Sequence, residues 1–184
     1  MNKLWFAPFV AFLLISIFVV FGCTQVKESV CGPESSGDSC ADSSEVYFCP
    51  ADDCANRLIE KIDAADETIS IAIYSFTLDS VADALVRAKQ RDVSIKVIFD
   101  NGQINESSED GTLLGAGIPV KRKKGGGYMH NKFCVIDGEI VGTGSFNYSK
   151  NAQTENNENL IFISSKKIAD AYQQEFDRLW QETG

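Results

Sequence analysis

The chain has 184 residues, a formal net charge of −9, and a hydrophobic content of 44%. The length suits one domain with an N-terminal extension, and the hydrophobic content is sufficient for a packed core. The acidic balance excludes a general nucleic-acid binder that acts through overall charge. Any site for a polyanion must therefore be local.

The N-terminal segment, residues 1–23, is dominated by an uncharged, mostly apolar run. The run follows Lys3, covers residues 4–22, and is long enough to cross a bilayer as a helix. It is also typical of a secretory signal with a short basic start. Because Gly22-Cys23 resembles a lipoprotein cleavage point, Cys23 is a lipidation candidate. A lipid anchor and an uncleaved membrane helix remain alternatives, with a freely secreted form behind them. In all three cases the residues after Cys23 lie outside the cytoplasm, tethered in the first two and released in the third.

Residues 24–44 form a polar linker that contains cysteines, and more cysteines follow it. In an extracytoplasmic protein, four cysteines close in sequence indicate two disulfides with three possible pairings. We favour Cys49–Cys54 and Cys31–Cys40, because both close short loops. A zinc site is the alternative, but the spacing lacks the close pairs that zinc sites prefer. We expect neither a metal ion nor a cofactor.

Residues 45–184 are predicted to fold as an α/β domain, with a mixed β-sheet flanked by helices. Periods of two predict strands, and periods of 3.6 predict helices. The predicted strands are 46–48, 68–76, 93–99, 132–136, 139–143 and 160–163. The predicted helices are 52–65, 78–90 and 165–182, with a short helical turn within 111–117. Strands alternating with helices favour this class, and a hairpin among them makes the sheet mixed.

The only histidine of the chain belongs to a pattern of fixed spacing, H-x-K-x4-D-x6-G-S-x-N. Its polar members are His130, Lys132, Asp137, Ser145 and Asn147. A neutral imidazole can attack phosphorus as a nucleophile. The lysine, hydroxyl and amide groups can stabilise the charge that develops on phosphoryl oxygens. The pattern therefore predicts a phosphate site.

The pair Asp137-Gly138 predicts a two-residue hairpin in which Ile136 pairs with Glu139. In that register Ser145 lies across from His130, and Thr143 lies across from Lys132. The four polar groups His130, Lys132, Ser145 and Asn147 would then converge on one face at the open end of the hairpin. The aspartate is accounted for by the turn, and we expect its role to be structural.

The pattern resembles the signature motif of the phospholipase D superfamily, in its single-motif branch. That branch includes bacterial endonucleases and the mitochondrial-surface nuclease or cardiolipin hydrolase relatives. The resemblance is strongest over residues 128–163 and looser from Glu45 onward. It implies a metal-independent phosphodiesterase with a phosphohistidine intermediate. Asp137 belongs to the catalytic motif of that enzyme class. It also implies that Glu158 accepts a hydrogen bond from a ring N–H of His130 and orients the ring.

The same resemblance implies a homodimer. In this superfamily a second motif histidine protonates the leaving oxygen and then activates water, and one chain supplies one histidine. A two-fold dimer would place two copies of His130 across one groove, as one composite active site.

A basic run precedes the motif, and its members are Lys121, Arg122, Lys123 and Lys124. The run could line the groove and attract a polyanionic substrate. Alternatively, it is a charged edge strand that resists aggregation. Three glycines after it indicate a mobile loop.

Three functions remain open from the sequence. The first is an endonuclease that acts on DNA or RNA, favoured by the single motif and the basic run. The second is a phospholipase D-type hydrolase of phosphatidyl lipids, for which Tyr128 and Met129 are the candidates for contact with acyl chains. The third is a catalytically idle module, which the intact set of motif residues opposes.

Overall fold

The computed structural model describes residues 43–183. The predicted N-terminal anchor, Cys23, Cys31 and Cys40 lie outside these residues. The strands are β1 Ser43–Cys49, β2 Thr68–Ile73, β3 Ser94–Asp100, β4 Val120–Lys123, β5 Lys132–Ile136, β6 Ile140–Gly144 and β7 Glu158–Ser164. The helices are α1 Cys54–Asp63, α2 Asp79–Gln90, α3 Asp110–Gly115, α4 Lys150–Thr154 and α5 Lys166–Glu182.

The strands form one mixed sheet in the order β1-β7-β6-β5-β2-β3-β4. The pairs β2–β3 and β3–β4 are parallel, and the other neighbours are antiparallel. The predicted mixed α/β class is therefore confirmed. The first strand begins at Ser43, two residues before the predicted start of the domain.

Helices cover the sheet on both faces, and each face has its own apolar core. On one face α1 contributes Leu58 and Ile62, and α2 contributes Val81 and Leu85. On the other face α5 buries Phe176 and other apolar residues against β2, β5 and β6. Strand β2 lies between the two layers and is buried along almost its whole length, as its continuous apolar sequence predicts.

The β5–β6 hairpin differs by one residue from the predicted register. Ile136 pairs with Ile140, so the loop has three residues, Asp137, Gly138 and Glu139. Asp137 is bound by β2, since its backbone N–H donates to the oxygen of Thr68 at 2.9 Å. The turn is thus shaped by β2, a neighbouring strand that is not part of the hairpin. As a result, Ser145 does not lie across from His130.

The described residues contain one of the two favoured disulfides, Cys49–Cys54, which joins the end of β1 to the start of α1. Strand β4, which carries most of the basic run, is an edge strand of the sheet. No helix among residues 43–183 combines the length and hydropathy needed to cross a membrane.

Candidate active site

His130 lies where the loop after β4 enters β5, at the edge of the sheet where β2 and β3 end. Its ring is exposed and packs against Tyr74, which directly follows β2, with 4.5 Å between ring centroids. The backbone N–H of Tyr74 donates to the oxygen of Asn131 at 2.9 Å. The hydroxyl of Tyr74 accepts a hydrogen bond from Gln103 at 2.9 Å. The histidine thus packs on a tyrosine whose backbone N–H and side-chain hydroxyl both form hydrogen bonds.

Lys132 shares this aromatic support. Its Nζ atom lies 4.9 Å from the ring centroid of Tyr74, as a cation–π contact, and donates to the oxygen of His130 at 2.9 Å. Burial lowers the pKa of the Lys132 ammonium group below its ordinary value, and the carboxylate of Glu158 acts in the opposite direction. The structure therefore brings the imidazole and a positive charge together, as the spacing of the motif predicts.

Ser145 reaches the site through a bend in the backbone. At Gly144, with φ of 152°, the chain leaves the β6 ladder and comes so close to β7 that an added Cβ would lie 2.2 Å from the oxygen of Asn159. That oxygen accepts from the backbone N–H groups of Ser145 and Phe146, at 3.1 and 3.3 Å. Glycine is required here because another side chain would meet this backbone. The bend at Gly144, together with the shifted hairpin register, sets the position of Ser145.

Glu158 does not bind His130 in the described chain. Its carboxylate accepts from the hydroxyl of Ser145 at 2.5 Å and from the amide of Asn156 at 3.1 Å. The physical reason is the strand order, because β6 lies between β5 and β7. The hydroxyl of Ser145 therefore meets the carboxylate first. The expected contact between Glu158 and His130 is wrong for the single chain.

Asn147 follows Ser145 in a segment that lies against the end of β2. The flanking Tyr148 donates its backbone N–H to the oxygen of Ser75 at 3.1 Å, so this segment adjoins the residue after Tyr74. The Oδ1 atom of Asn147 is buried and has no hydrogen-bond partner in the part of the chain that the structure describes. Buried polar atoms are nearly always bonded, so an unbonded one demands an explanation.

Asp137 lies at the opposite end of β5 from His130, next to the start of β2. Its carboxylate accepts from the backbone N–H groups of Asp66 at 3.0 Å, and of Glu67 and Thr68 at 2.8 Å. Burial acts to raise the pKa of Asp137, but these three donors together hold it below its ordinary value. With its acceptor oxygens bonded to backbone far from the histidine, Asp137 clamps the hairpin to β2 and does not contact the site.

The basic run divides into two pairs with different roles. Lys121 donates to the backbone oxygens of Trp180 and Thr183 at the end of α5, at 2.7 and 2.5 Å. Arg122 forms an ion pair with the buried carboxylate of Asp110. The charged groups of these two residues are therefore already paired within the protein. The reason is that β4 packs beside α5 on one face and α3 on the other, and both elements supply acceptors.

Lys123 and Lys124 remain beside the site. Lys123 lines a cavity of about 440 Å³ together with His130, and both lysines line an adjoining cavity of about 330 Å³. Tyr128 borders both cavities. Among residues 43–183, no cluster of His, Cys, Asp and Glu side chains is suited to hold a metal ion.

Sequence reasoning missed two residues of the site, Tyr74 and Asp100. Asp100 is 3% exposed and accepts the backbone N–H of Met129 at 2.7 Å, directly before His130. Both residues follow or end apolar strands, β2 and β3. Polar residues at the carboxyl ends of neighbouring parallel strands meet at one edge of a sheet, and this signal is visible in the sequence.

A family model described as "Cardiolipin synthase, PLD-like domain" matches residues 58–180. The mitochondrial cardiolipin hydrolase of Xenopus tropicalis is 38% identical over 138 residues, which cover 73% of this chain and 66% of that protein. The phospholipase D of Rickettsia prowazekii (strain Madrid E) is 32% identical, over 69% of this chain and 62% of that protein. The chain thus spans less than two thirds of the length of these curated relatives.

The solved structures with a similar fold include two from bacteria that align over nearly their whole length. The phospholipase D family member Nuc from Salmonella typhimurium has a TM-score of 0.74 and 29% identity, covering 78% of this chain and 97% of Nuc. NucT from Helicobacter pylori has a TM-score of 0.72 and 28% identity, covering 77% of this chain and 98% of NucT.

The fold and the arrangement around His130 define a protein of the phospholipase D superfamily. The described residues carry one copy of its histidine motif. Within that superfamily the chain belongs to the PLD-like domain family whose model matches residues 58–180.

Proposed function

We propose that this chain is a metal-independent phosphodiesterase in which His130 is the nucleophile. A ring nitrogen of His130 forms a bond to phosphorus, the leaving oxygen departs with a proton from a general acid, and water then hydrolyses the phosphorus–nitrogen bond. The observation that carries this proposal is the exposed imidazole of His130 beside the ammonium group of Lys132, both supported by Tyr74.

One further group suits the charge of the transition state, because the side-chain Nδ2 of Asn147 can donate to a phosphoryl oxygen. The hydroxyl of Ser145 donates its single proton to Glu158, so it holds that carboxylate in place. Donors that are already oriented stabilise developing charge without reorganisation at the moment of reaction.

We also propose a homodimer with one composite site. One histidine per chain cannot act both as nucleophile and as general acid in the same step, and the chain has one. A two-fold axis would supply the second copy. If both histidines are required and subunits exchange freely, the activity of wild type mixed with His130→Ala falls as the square of the wild-type fraction. A linear fall, or an active species with the mass of one chain, contradicts the dimer.

For the substrate we favour polynucleotide. Lys123 lines the cavity that contains His130, and Lys124 lines the adjoining one. Neither has an ion pair among the described residues, which suits a chain of phosphates. Met129, one of the two candidates for contact with acyl chains, is 4% exposed and therefore belongs to the core. The loop beside His130 then offers one exposed apolar side chain, which is a small surface for a lipid.

A lipid phosphodiesterase is the second candidate. It is favoured by the curated relatives, which are named as cardiolipin hydrolases and a phospholipase D. The apolar N-terminal run adds weight, because a membrane-tethered enzyme would meet lipid head groups directly. We propose that this run holds the domain outside the cytoplasm, through Cys23 lipidation or as a helix. Incorporation of labelled fatty acid into wild type and not into Cys23→Ala would support the lipid anchor.

One experiment separates the candidates. The full chain in detergent, with His130→Ala as control, is incubated in EDTA with labelled DNA, labelled RNA and vesicles of phosphatidyl lipids. Polynucleotide cleavage that the variant lacks supports the nuclease, and head-group release without such cleavage supports the lipid enzyme. A strict requirement for a divalent metal contradicts the phosphohistidine route. Inactivity toward all substrates leaves the idle module.

A further inference from the structure

Tyr128 is the most exposed large apolar side chain among residues 43–183, with 77% of its surface open to solvent. It stands two residues before His130, at the mouth of the site. A single exposed apolar residue is ordinary, but an exposed aromatic ring at the mouth of a site also offers a flat face on which a ligand can stack.

The ring is exposed but not loosely attached. The next residue, Met129, is buried and donates its backbone N–H to Asp100 at 2.7 Å. The ring of Tyr128 lies nearly perpendicular to that of Tyr74, with 6.0 Å between centroids. Because Tyr74 also packs on His130, one aromatic ring separates Tyr128 from the nucleophile. The position of the exposed ring is therefore coupled to the site.

The surroundings of Tyr128 leave room for a flat ligand. Three glycines precede it, at Gly125, Gly126 and Gly127, with φ of 71°, 70° and 91°. A Cβ added at any of them would meet nothing within 4 Å, so no side chain crowds the ring from this loop. Cationic groups flank it, with Lys123 and Lys124 in one cavity and Lys123 and Arg178 in the other, where Glu175 and Glu182 also form part of the lining. Positive groups for phosphates beside an open aromatic face are the elements of single-strand binding sites.

We propose that Tyr128 stacks on the nucleobase next to the scissile phosphate and so forms a base subsite of the enzyme. The inference rests on the proposed nuclease function and adds a specificity residue to it. A base can stack on Tyr128 only when it leaves its own helix, so the subsite selects unpaired strands. A lipid surface is the less favoured occupant, because the neighbours of Tyr128 are glycines, charged side chains and a buried methionine.

The test uses the full chain in detergent and EDTA, with a labelled single-stranded DNA oligonucleotide. Tyr128→Ala and Tyr128→Leu remove the aromatic face, Tyr128→Phe keeps it, and Leu114→Ala removes an exposed apolar side chain on α3. Stacking on one base predicts a fall of about tenfold or more in kcat/KM for the first two variants. It predicts little change for the other two. In wild type, one abasic residue beside the scissile phosphate should cause the same fall, and in Tyr128→Ala it should cause no further fall.

Each outcome decides a separate point. Cleavage by Tyr128→Ala or Tyr128→Leu within twofold of wild type overturns the base subsite and leaves the nuclease intact. An abasic effect that persists in Tyr128→Ala likewise overturns it. Failure of wild type to cleave any polynucleotide overturns the proposed function itself. If Tyr128→Ala loses only the hydrolysis of phosphatidyl vesicles, the ring serves a lipid surface and the proposal is wrong.

Discussion

The buried carboxylate of Asp100 accepts the backbone N–H of Met129, with 2.7 Å between Oδ2 and nitrogen. Its other oxygen accepts the N–H of Gly102 at 2.8 Å. Asp100 ends β3, and Met129 directly precedes His130. The end of a parallel strand thus holds the segment that carries His130. Asp100 is a positioning residue, since it acts on the site through Met129.

Replacing Asp100 by alanine should destabilise the fold and misplace the histidine. Two N–H groups would lose their acceptor, and the buried one, that of Met129, costs about 1–3 kcal/mol without a partner. Asp100→Asn keeps one acceptor and should lose less. Urea unfolding measures the change in free energy, and kcat measured on the folded fraction reports the misplacement. An unchanged urea midpoint in Asp100→Ala would contradict the role.

Asp137 should stabilise the fold without a part in the chemistry. Asparagine tolerates the left-handed backbone at this position, where φ is 52°, so Asp137→Asn changes charge with little backbone strain. We expect a loss of about 1–2 kcal/mol of unfolding free energy at neutral pH, from weaker bonds to the three backbone donors. The kcat of the folded variant should equal that of wild type, because the residue lies at the other end of β5.

The pH dependence of this contribution follows from the lowered pKa of Asp137. A carboxyl with a depressed pKa in the folded state stabilises fully above its unfolded value, about 3.9, and loses this effect as the pH falls through the folded value. The difference between wild type and Asp137→Asn should therefore be constant near neutral pH and narrow below about pH 4. A difference that grows on acidification would contradict the assignment.

Gly144→Ala should disrupt the site through the backbone of β7. The added Cβ would lie 2.2 Å from the oxygen of Asn159, which cannot move without shifting Glu158. Overpacking of this kind costs about 1–3 kcal/mol or more. Gly115→Ala is the matched control, because nothing lies within 4 Å of its added Cβ. Thermal unfolding should show a loss for Gly144→Ala alone, and equal melting temperatures for both variants would refute the close approach.

The ammonium group of Lys132 should titrate at lower pH than the exposed lysines of the same chain. Burial lowers its pKa, and Glu158 opposes the shift. Neutralising that carboxylate in Glu158→Gln should lower the Lys132 pKa further, since the opposing charge is gone. NMR titration of the lysine Cε resonances, with exposed Lys166 and Lys167 as internal references, measures both effects. An upward shift in Glu158→Gln would show that the two groups do not interact as described.

The salt dependence of nucleic-acid cleavage should distinguish the two halves of the basic run. Removing Lys123 and Lys124 together should reduce the slope of log kcat/KM against log salt by about 0.7 for each phosphate that the variant no longer binds. Lys166→Ala with Lys167→Ala is a matched control, because these lysines begin α5 at the opposite end of the sheet. Lys121→Ala should lower stability and leave the slope unchanged. Equal slopes in all variants would exclude Lys123 and Lys124 from substrate binding.

The sequence by itself determined the features that depend on near neighbours along the chain. Apolar periods of two and 3.6 marked the strands and helices of the α/β domain, because burial of one face imposes that spacing. The interval between His130 and Lys132 placed the imidazole and the ammonium group side by side, since both belong to one extended segment. The short loop between Cys49 and Cys54 favoured their pairing, and the structure joins them.

Only the tertiary structure decided which distant partners the polar groups meet. The carboxylate of Asp137 binds backbone about 70 positions away, and this contact set the hairpin register that local turn rules predicted wrongly. Glu158 meets Ser145 and not His130 because β6 separates their strands. Lys121 bonds to the end of α5, and Arg122 pairs with Asp110, because these elements pack beside β4. Hydrogen bonds and ion pairs are short-ranged and directional, so their partners follow from strand order and packing, which no local pattern contains.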